Sequence, residues 1–209
     1  MSRKAKSVLR RKYLDLRRNI PRPNLATKKS RFFKRLKELL AGMRIHGLCL
    51  YSSILNEPEV CDLAKVCDLT KVSGLHSCRI FFPRVKGCVL EFVEGRDTRK
   101  FQRSRLGIME PGPGYRVLSA SSFKGPNKVV VFLVPAIVFD RNGGRIGFGK
   151  GYYDSFLSRM ERAGWFRTIR IGVAWDFQVR NADLPVGRRD IRMDMIVTER
   201  RVIDCMRGS

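Results

Sequence analysis

The apolar positions along the chain change period several times, and each change predicts an element. Residues 5–18 place Leu9, Tyr13 and Leu16 on one helical face against a strongly basic opposite face, the pattern of an amphipathic helix. Pro21 and Pro23 stop it, because proline cannot donate the next helical hydrogen bond. Thr27 is placed to cap a second helix with the stripe Phe32, Phe33, Leu36, Leu39 and Leu40, ending near Gly42. A strand follows at Ile45–Tyr51, a helix from Pro58 to Val72 with the proline in its first turn, and strands at Cys78–Phe82 and Val89–Val93. From Arg96 to Lys128 the chain is irregular, and a segment of that length in a small protein is usually functional or mobile.

The strongest core signal is VVVFLVPAIVF, Val129–Phe139. A continuous β-branched apolar run suits a strand buried on both faces of a parallel sheet, and Pro135 ends its ladder near Val134. Tyr152–Ala163 reads as a helix, and Arg170–Trp175 and Asp194–Glu199 as strands. Strands alternating with helices predict an α/β sandwich with ligands at the carboxyl ends of its strands. Without internal repeats or low-complexity stretches, residues 1–209 read as one domain, with basic helices over 5–41 packed on a core over 45–203.

Charge adds a second layer. The chain has 43 Lys and Arg against 19 Asp and Glu, a net +24, and fifteen basic and two acidic residues fall in the first forty. Such a bias favours polyanions, including nucleic acid and phosphorylated metabolites. A nucleic-acid-binding protein is therefore the alternative reading, although no aromatic RNA-binding motif or reading helix supports it. Cys49, Cys61, Cys67, Cys78, Cys88 and Cys205 form no C-x-x-C pair, and His46 and His76 are the only histidines. Free thiols in a reducing compartment are expected rather than a zinc site. No apolar run nears the roughly 20 residues that span a bilayer. A cytoplasmic location is expected, with an organellar matrix as the alternative if the Arg-rich, acid-poor first twenty residues act as a presequence.

The chemistry concentrates in RIGFGKGYYDSFL, Arg145–Leu157. A strand, a glycine loop and a helix N-terminus present amide N–H groups to phosphate. The loop meets neither standard fingerprint: Lys150 is followed by Gly151 rather than Ser or Thr, and the third glycine of the dinucleotide pattern falls at Tyr152. Arg145 and Lys150 bring positive charge to the loop, and Asp154 offers magnesium a carboxylate or, in the bland alternative, simply favours the helix dipole.

The longer segment VPAIVFDRNGGRIGFGKGYYDSFL resembles the signature of the 5-formyltetrahydrofolate cyclo-ligase (5,10-methenyltetrahydrofolate synthetase) family. YSSILNE at 51–57, FFPRV at 81–85, LGIMEP at 106–111 and GVAWDFQ…LP…D…DMIVTE from Gly172 extend the likeness over nearly the whole chain. The resemblance implies a Rossmann-like three-layer sandwich around a mostly parallel sheet, of the NagB/RpiA/CoA-transferase type. It also implies ATP-dependent closure of 5-formyltetrahydrofolate, which can carry a polyglutamate tail, with Mg2+ as cofactor and the enzyme acting as a monomer away from membranes.

Residue by residue, the resemblance assigns ATP to Lys6 and Arg10, one helical turn apart, with Lys4 and Arg11 as rivals in register. It assigns ATP also to Arg145, Gly147, Phe148, Gly149, Lys150, Gly151, Tyr152 and Tyr153. The folate is implied to meet Glu57 (with Glu59 as the nearby rival) and Phe148, Gly149, Lys150, Gly151 and Tyr152; Lys150 and Tyr152 carry the catalytic role. Asp154 and Asp194 are the implied magnesium carboxylates, and a salt bridge to a neighbouring arginine is the alternative for Asp194. The chain departs from the family pattern with Arg188-Arg189-Asp190, where His-Asp is common, and with Ala136 in place of glycine after Val134-Pro135.

Overall fold

The computed structural model describes residues 3–66, 78–104, 107–123, 127–164, 166–187 and 189–206. Its main sheet is built from β1 (Gly47–Cys49), β2 (Arg79–Lys86), β3 (Val89–Glu94), β6 (Val129–Pro135), β9 (Arg167–Val173), β11 (Met195–Val197) and β12 (Val202–Asp204). The strand order is β12-β11-β9-β6-β1-β2-β3. The five inner strands are parallel, and only the two edge pairs, β11 with β12 and β2 with β3, run antiparallel.

Burial on both faces explains the continuous apolar run of β6. Val131 and Leu133 point into one core with Phe32, Leu36 and Leu40 of helix α2 (Arg22–Ala41) and Leu63 of the short helix α3 (Asp62–Val66). Val130, Phe132 and Val134 point the other way, onto Phe156, Leu157 and Met160 of helix α4 (Tyr152–Ala163). Alternation along a strand thus feeds two cores and gives the three-layer sandwich.

Two small sheets complete the fold. β4 (Gln102–Arg103) pairs with β5 (Met109–Glu110), while β7 (Val138–Asp140) is flanked by β8 (Arg145–Ile146) and β10 (Val179–Arg180). Helix α1 (Arg3–Arg18) lies on the second of these, packing Tyr13, with Leu9 and Leu14, against Ile137, Val138, Ile146 and Leu184.

Several elements differ from the sequence expectation. Leu16 is 47% exposed whereas Arg17 is fully buried, so the inner face of α1 is rotated by one residue. Helix α2 starts at Arg22 with Pro21 before it and no side-chain cap, which leaves Thr27 inside the helix. The helix expected from Pro58 starts only at Asp62, because the Pro58 carbonyl is taken by the Tyr51 and Ser53 hydroxyls; its expected end at 67–72 lies outside the described residues.

Candidate active site

The turn after β7 sets up the glycine loop. The buried carboxylate of Asp140 accepts from Asn142 N at 3.0 Å, Gly144 N at 2.7 Å and Leu184 N at 2.8 Å, so three backbone donors lock the reversal into β8. β8 then buries Arg145, and residues 147–151 run exposed or half-exposed to Gly151, which caps α4 in the left-handed conformation. The free N–H groups of the first turn of α4 therefore open toward this loop. Phe148 stands 50% exposed at its tip, and Lys150 is exposed without a protein partner among the described residues.

The N-terminal helix reaches the same loop. Arg10 Nε donates to the Gly147 carbonyl at 2.8 Å, and Lys6 Nζ donates to Asp190 Oδ2 at 2.8 Å. Arg145 Nη2 donates to Asp154 Oδ1 at 2.7 Å, while its Nε is buried without a partner among the described residues. Burial works against the charge of Arg145, and Asp154, Tyr153 and Asp190 support it. Burial also pushes the Asp190 carboxyl upward, but the bonds from Lys6 and Gly187 N and the nearby cations outweigh this and hold it below the usual aspartate range.

Asp154 and Asp190 thus both act on Arg145. Their free oxygens, Asp154 Oδ2 and Asp190 Oδ1, take no donor from the described residues. Asp194 is elsewhere. Both its oxygens are committed to Arg170, through backbone N at 2.7 Å, Nε at 3.0 Å and Nη2 at 2.6 Å. The same Arg170 binds Glu161, which lies seven residues along α4 from Asp154, or about 10 Å. The structure therefore does not bring Asp194 to Asp154, and the salt-bridge alternative describes its contacts. Among the described residues no group of three or more His, Cys, Asp or Glu side chains is arranged to hold a metal.

Glu57 sits in the loop after β1, which passes through Leu55 and Asn56 at φ 48° and 59°. Two successive left-handed non-glycine residues are sterically costly and persist where surrounding contacts fix them. Here Trp175 Nε1 donates to the Asn56 carbonyl at 2.7 Å, and Asn56 Nδ2 donates to the Arg17 carbonyl at 3.2 Å. Glu57 is buried, with Oε1 accepting from Arg17 Nη1 at 3.1 Å and Oε2 from Ile54 N at 3.1 Å. Burial raises its carboxyl to about 7 despite the neighbouring guanidinium. Glu59, its rival, instead accepts from Val60 N and Cys61 N.

A cavity of about 810 Å³ opens beside Tyr152, within the size range of small-molecule sites. Arg84, Lys86, Gln102, Arg103 and Glu110 line it; Lys86 and Arg103 have no protein partner among the described residues. The Ser52 hydroxyl donates to the Met109 carbonyl and so links the cavity wall to the loop of Glu57. Tyr153 is partly buried, with its ring against Phe92 and 6.0 Å from the Arg145 guanidinium.

Arg17 and Asp190 are the residues that sequence reasoning left out of the site. Asp190 stood in the Arg-Arg-Asp segment, where Arg188 lies outside the described residues and Arg189 is exposed. Arg17 follows Lys6 and Arg10 at spacings of four and seven, a single helical face, and that spacing was the available signal.

The 5-formyltetrahydrofolate cyclo-ligase family model matches residues 2–199. The chain is 26% identical over 179 residues to a probable 5-formyltetrahydrofolate cyclo-ligase of Schizosaccharomyces pombe, covering 81% of this chain and 83% of that protein. It is 27% identical over 214 residues to the 5-formyltetrahydrofolate cyclo-ligase of Mycolicibacterium smegmatis, covering 99% and 100%. The NMR structure of the 5,10-methenyltetrahydrofolate synthetase of Aquifex aeolicus superposes with a TM-score of 0.73 at 28% identity, over 98% of this chain and 94% of that one.

Proposed function

Because the chain belongs to the 5-formyltetrahydrofolate cyclo-ligase family, we propose that it closes 5-formyltetrahydrofolate to 5,10-methenyltetrahydrofolate with conversion of ATP to ADP and phosphate. The observation that carries this reading is the docking of the first helix on the glycine loop at the N-terminus of α4, where Arg10 bonds the Gly147 carbonyl while Lys6, one turn earlier, binds Asp190. Arg10, the exposed Lys150 and the amide donors at the start of α4 are the groups that a polyphosphate binds.

A formamide oxygen is a poor leaving group. Transfer of the γ-phosphoryl group to that oxygen makes phosphate the leaving group. N10 then attacks the activated carbon and loses its proton, and the C–O bond breaks with departure of phosphate, leaving the closed methenyl ring. The protein's work is to position the reactants and stabilise charge. Lys150, on the exposed loop, meets the transferring phosphoryl oxygens; Tyr152 and Phe148 present aromatic surface to the folate, with Glu57 accepting from the pterin ring.

A bound magnesium ion would neutralise phosphoryl charge. Asp154 Oδ2 and Asp190 Oδ1 are the carboxylate oxygens left free to meet it. Asp194 does not fit, because Arg170 occupies both of its oxygens. The tail carboxylates of the folate, one or several, find Lys86 and Arg103 in the cavity beside Tyr152.

Mixing the purified protein with Mg-ATP and 5-formyltetrahydrofolate tests the reading through the ultraviolet absorbance of the methenyl product. ATP-dependent appearance of that band is expected. Its absence from a folded preparation would reject the assignment.

A further inference from the structure

The protein contains a buried guanidinium that it does not satisfy. Arg17, in the last turn of α1, is fully buried. Among the described residues only Nη1 finds partners, donating to Glu57 Oε1 at 3.1 Å and to the Ala136 carbonyl at 3.3 Å. Nε and Nη2 are buried with no hydrogen-bond partner among the described residues. Unpaired buried N–H groups on a charged side chain are costly, and a native fold that keeps them needs a reason.

The surroundings supply one. Both oxygens of Glu57 are oriented by a protein donor, and each keeps a lone pair for a ligand. The strained turn at Leu55 and Asn56 and the bond from Asn56 Nδ2 to the Arg17 carbonyl fix carboxylate and guanidinium relative to each other. The pair sits at the carboxyl ends of β1 and β6, where open α/β sheets bind ligands. Arg17 also shares its helical face with Lys6 and Arg10, so one rod joins the Glu57 loop to the glycine loop.

Resting on the cyclo-ligase reading, we propose that Arg17 is a folate-recognition residue, with Glu57 accepting from the pterin's amino and amide N–H groups and Arg17 donating from its unpartnered nitrogens to the adjacent ring carbonyl. A 4-oxo pterin presents two donors and an acceptor along one edge. A carboxylate alone reads only the donors; a guanidinium beside it reads the acceptor. A ring with an amino group in place of the carbonyl would oppose donor to donor, so the pair selects the 4-oxo form by attraction and by exclusion.

The test compares wild type with Arg17→Lys and Arg17→Met. It measures KM for 5-formyltetrahydrofolate, KM for ATP, and equilibrium binding of matched 4-oxo and 4-amino folate analogues. Loss of charge-assisted donors is expected to raise the folate KM about ten- to hundredfold, to leave the ATP KM within about twofold, and to erase the preference for the 4-oxo ring. Arg17→Lys keeps a cation beside Glu57 and can be read even if Arg17→Met fails to fold. An active wild type whose lysine variant keeps the 4-oxo preference would overturn this inference alone and make Arg17 a structural residue. A folded wild type that neither turns over nor binds folate would overturn the cyclo-ligase reading and, with it, this one.

Discussion

The guanidinium of Arg10 lies against Gly149 while its Nε donates to the Gly147 carbonyl at 2.8 Å. A Cβ on Gly149 would meet Arg10 Nη2 at 3.1 Å and Cζ at 3.3 Å, and the residue has φ +94°. Of the loop's alternating glycines, Gly149 is therefore needed twice over, for its backbone angle and for the close approach of a cation. Gly147, by contrast, has open space where a Cβ would be.

Gly149→Ala is expected to cost about 1–2 kcal/mol of stability and to displace Arg10 from the loop. The ATP KM should rise several-fold more than in Gly147→Ala, whose added methyl meets nothing. Thermal melts with and without ATP check this. Equal behaviour of the two alanine variants would remove Arg10 from the nucleotide site.

The carboxylates separate by partner: Asp194 is held by Arg170, Asp154 by Arg145 and Asp190 by Lys6. Asp194→Asn loosens the bidentate grip on Arg170 and should lower stability by about 1–3 kcal/mol, with the magnesium dependence of the rate unchanged. Asp154→Asn and Asp190→Asn should instead raise the magnesium concentration needed for half-maximal rate. Initial rates titrated with magnesium at fixed ATP distinguish them. A shift in Asp194→Asn, with none in Asp190→Asn, would restore Asp194 to the metal.

The contrast between Asp190 and Asp194 shows where sequence reading stopped. Helix α4 was legible at both ends because glycines bound it and Phe156, Leu157 and Met160 repeat at helical spacing. The β6 run was legible because burial on both faces leaves a continuous apolar string. The inner face of α1 was not, because a polar site covers it: Lys6, Arg10 and Arg17 face inward while Leu16 faces solvent. A hydrophobic periodicity cannot reveal a helix whose buried face is cationic. Likewise two aspartates four residues apart look interchangeable until the fold commits one to Arg170 and the other to Lys6. Partners 24 and 184 residues distant decide that choice.

Glu57 gives the protein a pH dependence whose sign is fixed by burial. Its carboxyl is raised from an ordinary 4.5 to about 7, so the folded protein holds a proton there that the unfolded chain releases. Its contribution to stability is full below about pH 4.5 and is lost as pH rises through about 7, a difference of about 3 kcal/mol. Glu57→Gln, which still accepts from Arg17, should remove this part of the slope. Urea unfolding of both proteins at pH 5 and pH 8 measures it. On the proposed use of the carboxylate in folate recognition, turnover follows the opposite limb: the wild-type rate should rise through about pH 7, and loss of Arg17, whose charge holds the carboxyl down, should move that rise to higher pH.

Lys150 separates catalysis from folding most cleanly. Its side chain is exposed on the loop and without a protein partner among the described residues, so Lys150→Ala should leave the melting temperature of the free protein within experimental scatter. If the ammonium meets the phosphoryl group mainly as charge develops in transfer, its loss lowers kcat about a hundred- to thousandfold. The KM for folate should change little, because Glu57 and the ring-facing residues remain in place. Arg145→Ala is the contrasting case: it removes a buried guanidinium from Asp154 and should lower both stability and rate. Stability and single-turnover rates for the two variants, measured side by side, check the distinction. An unchanged rate in Lys150→Ala would assign the phosphoryl contact to Arg10 and Arg145 and reduce the exposed lysine to general surface charge.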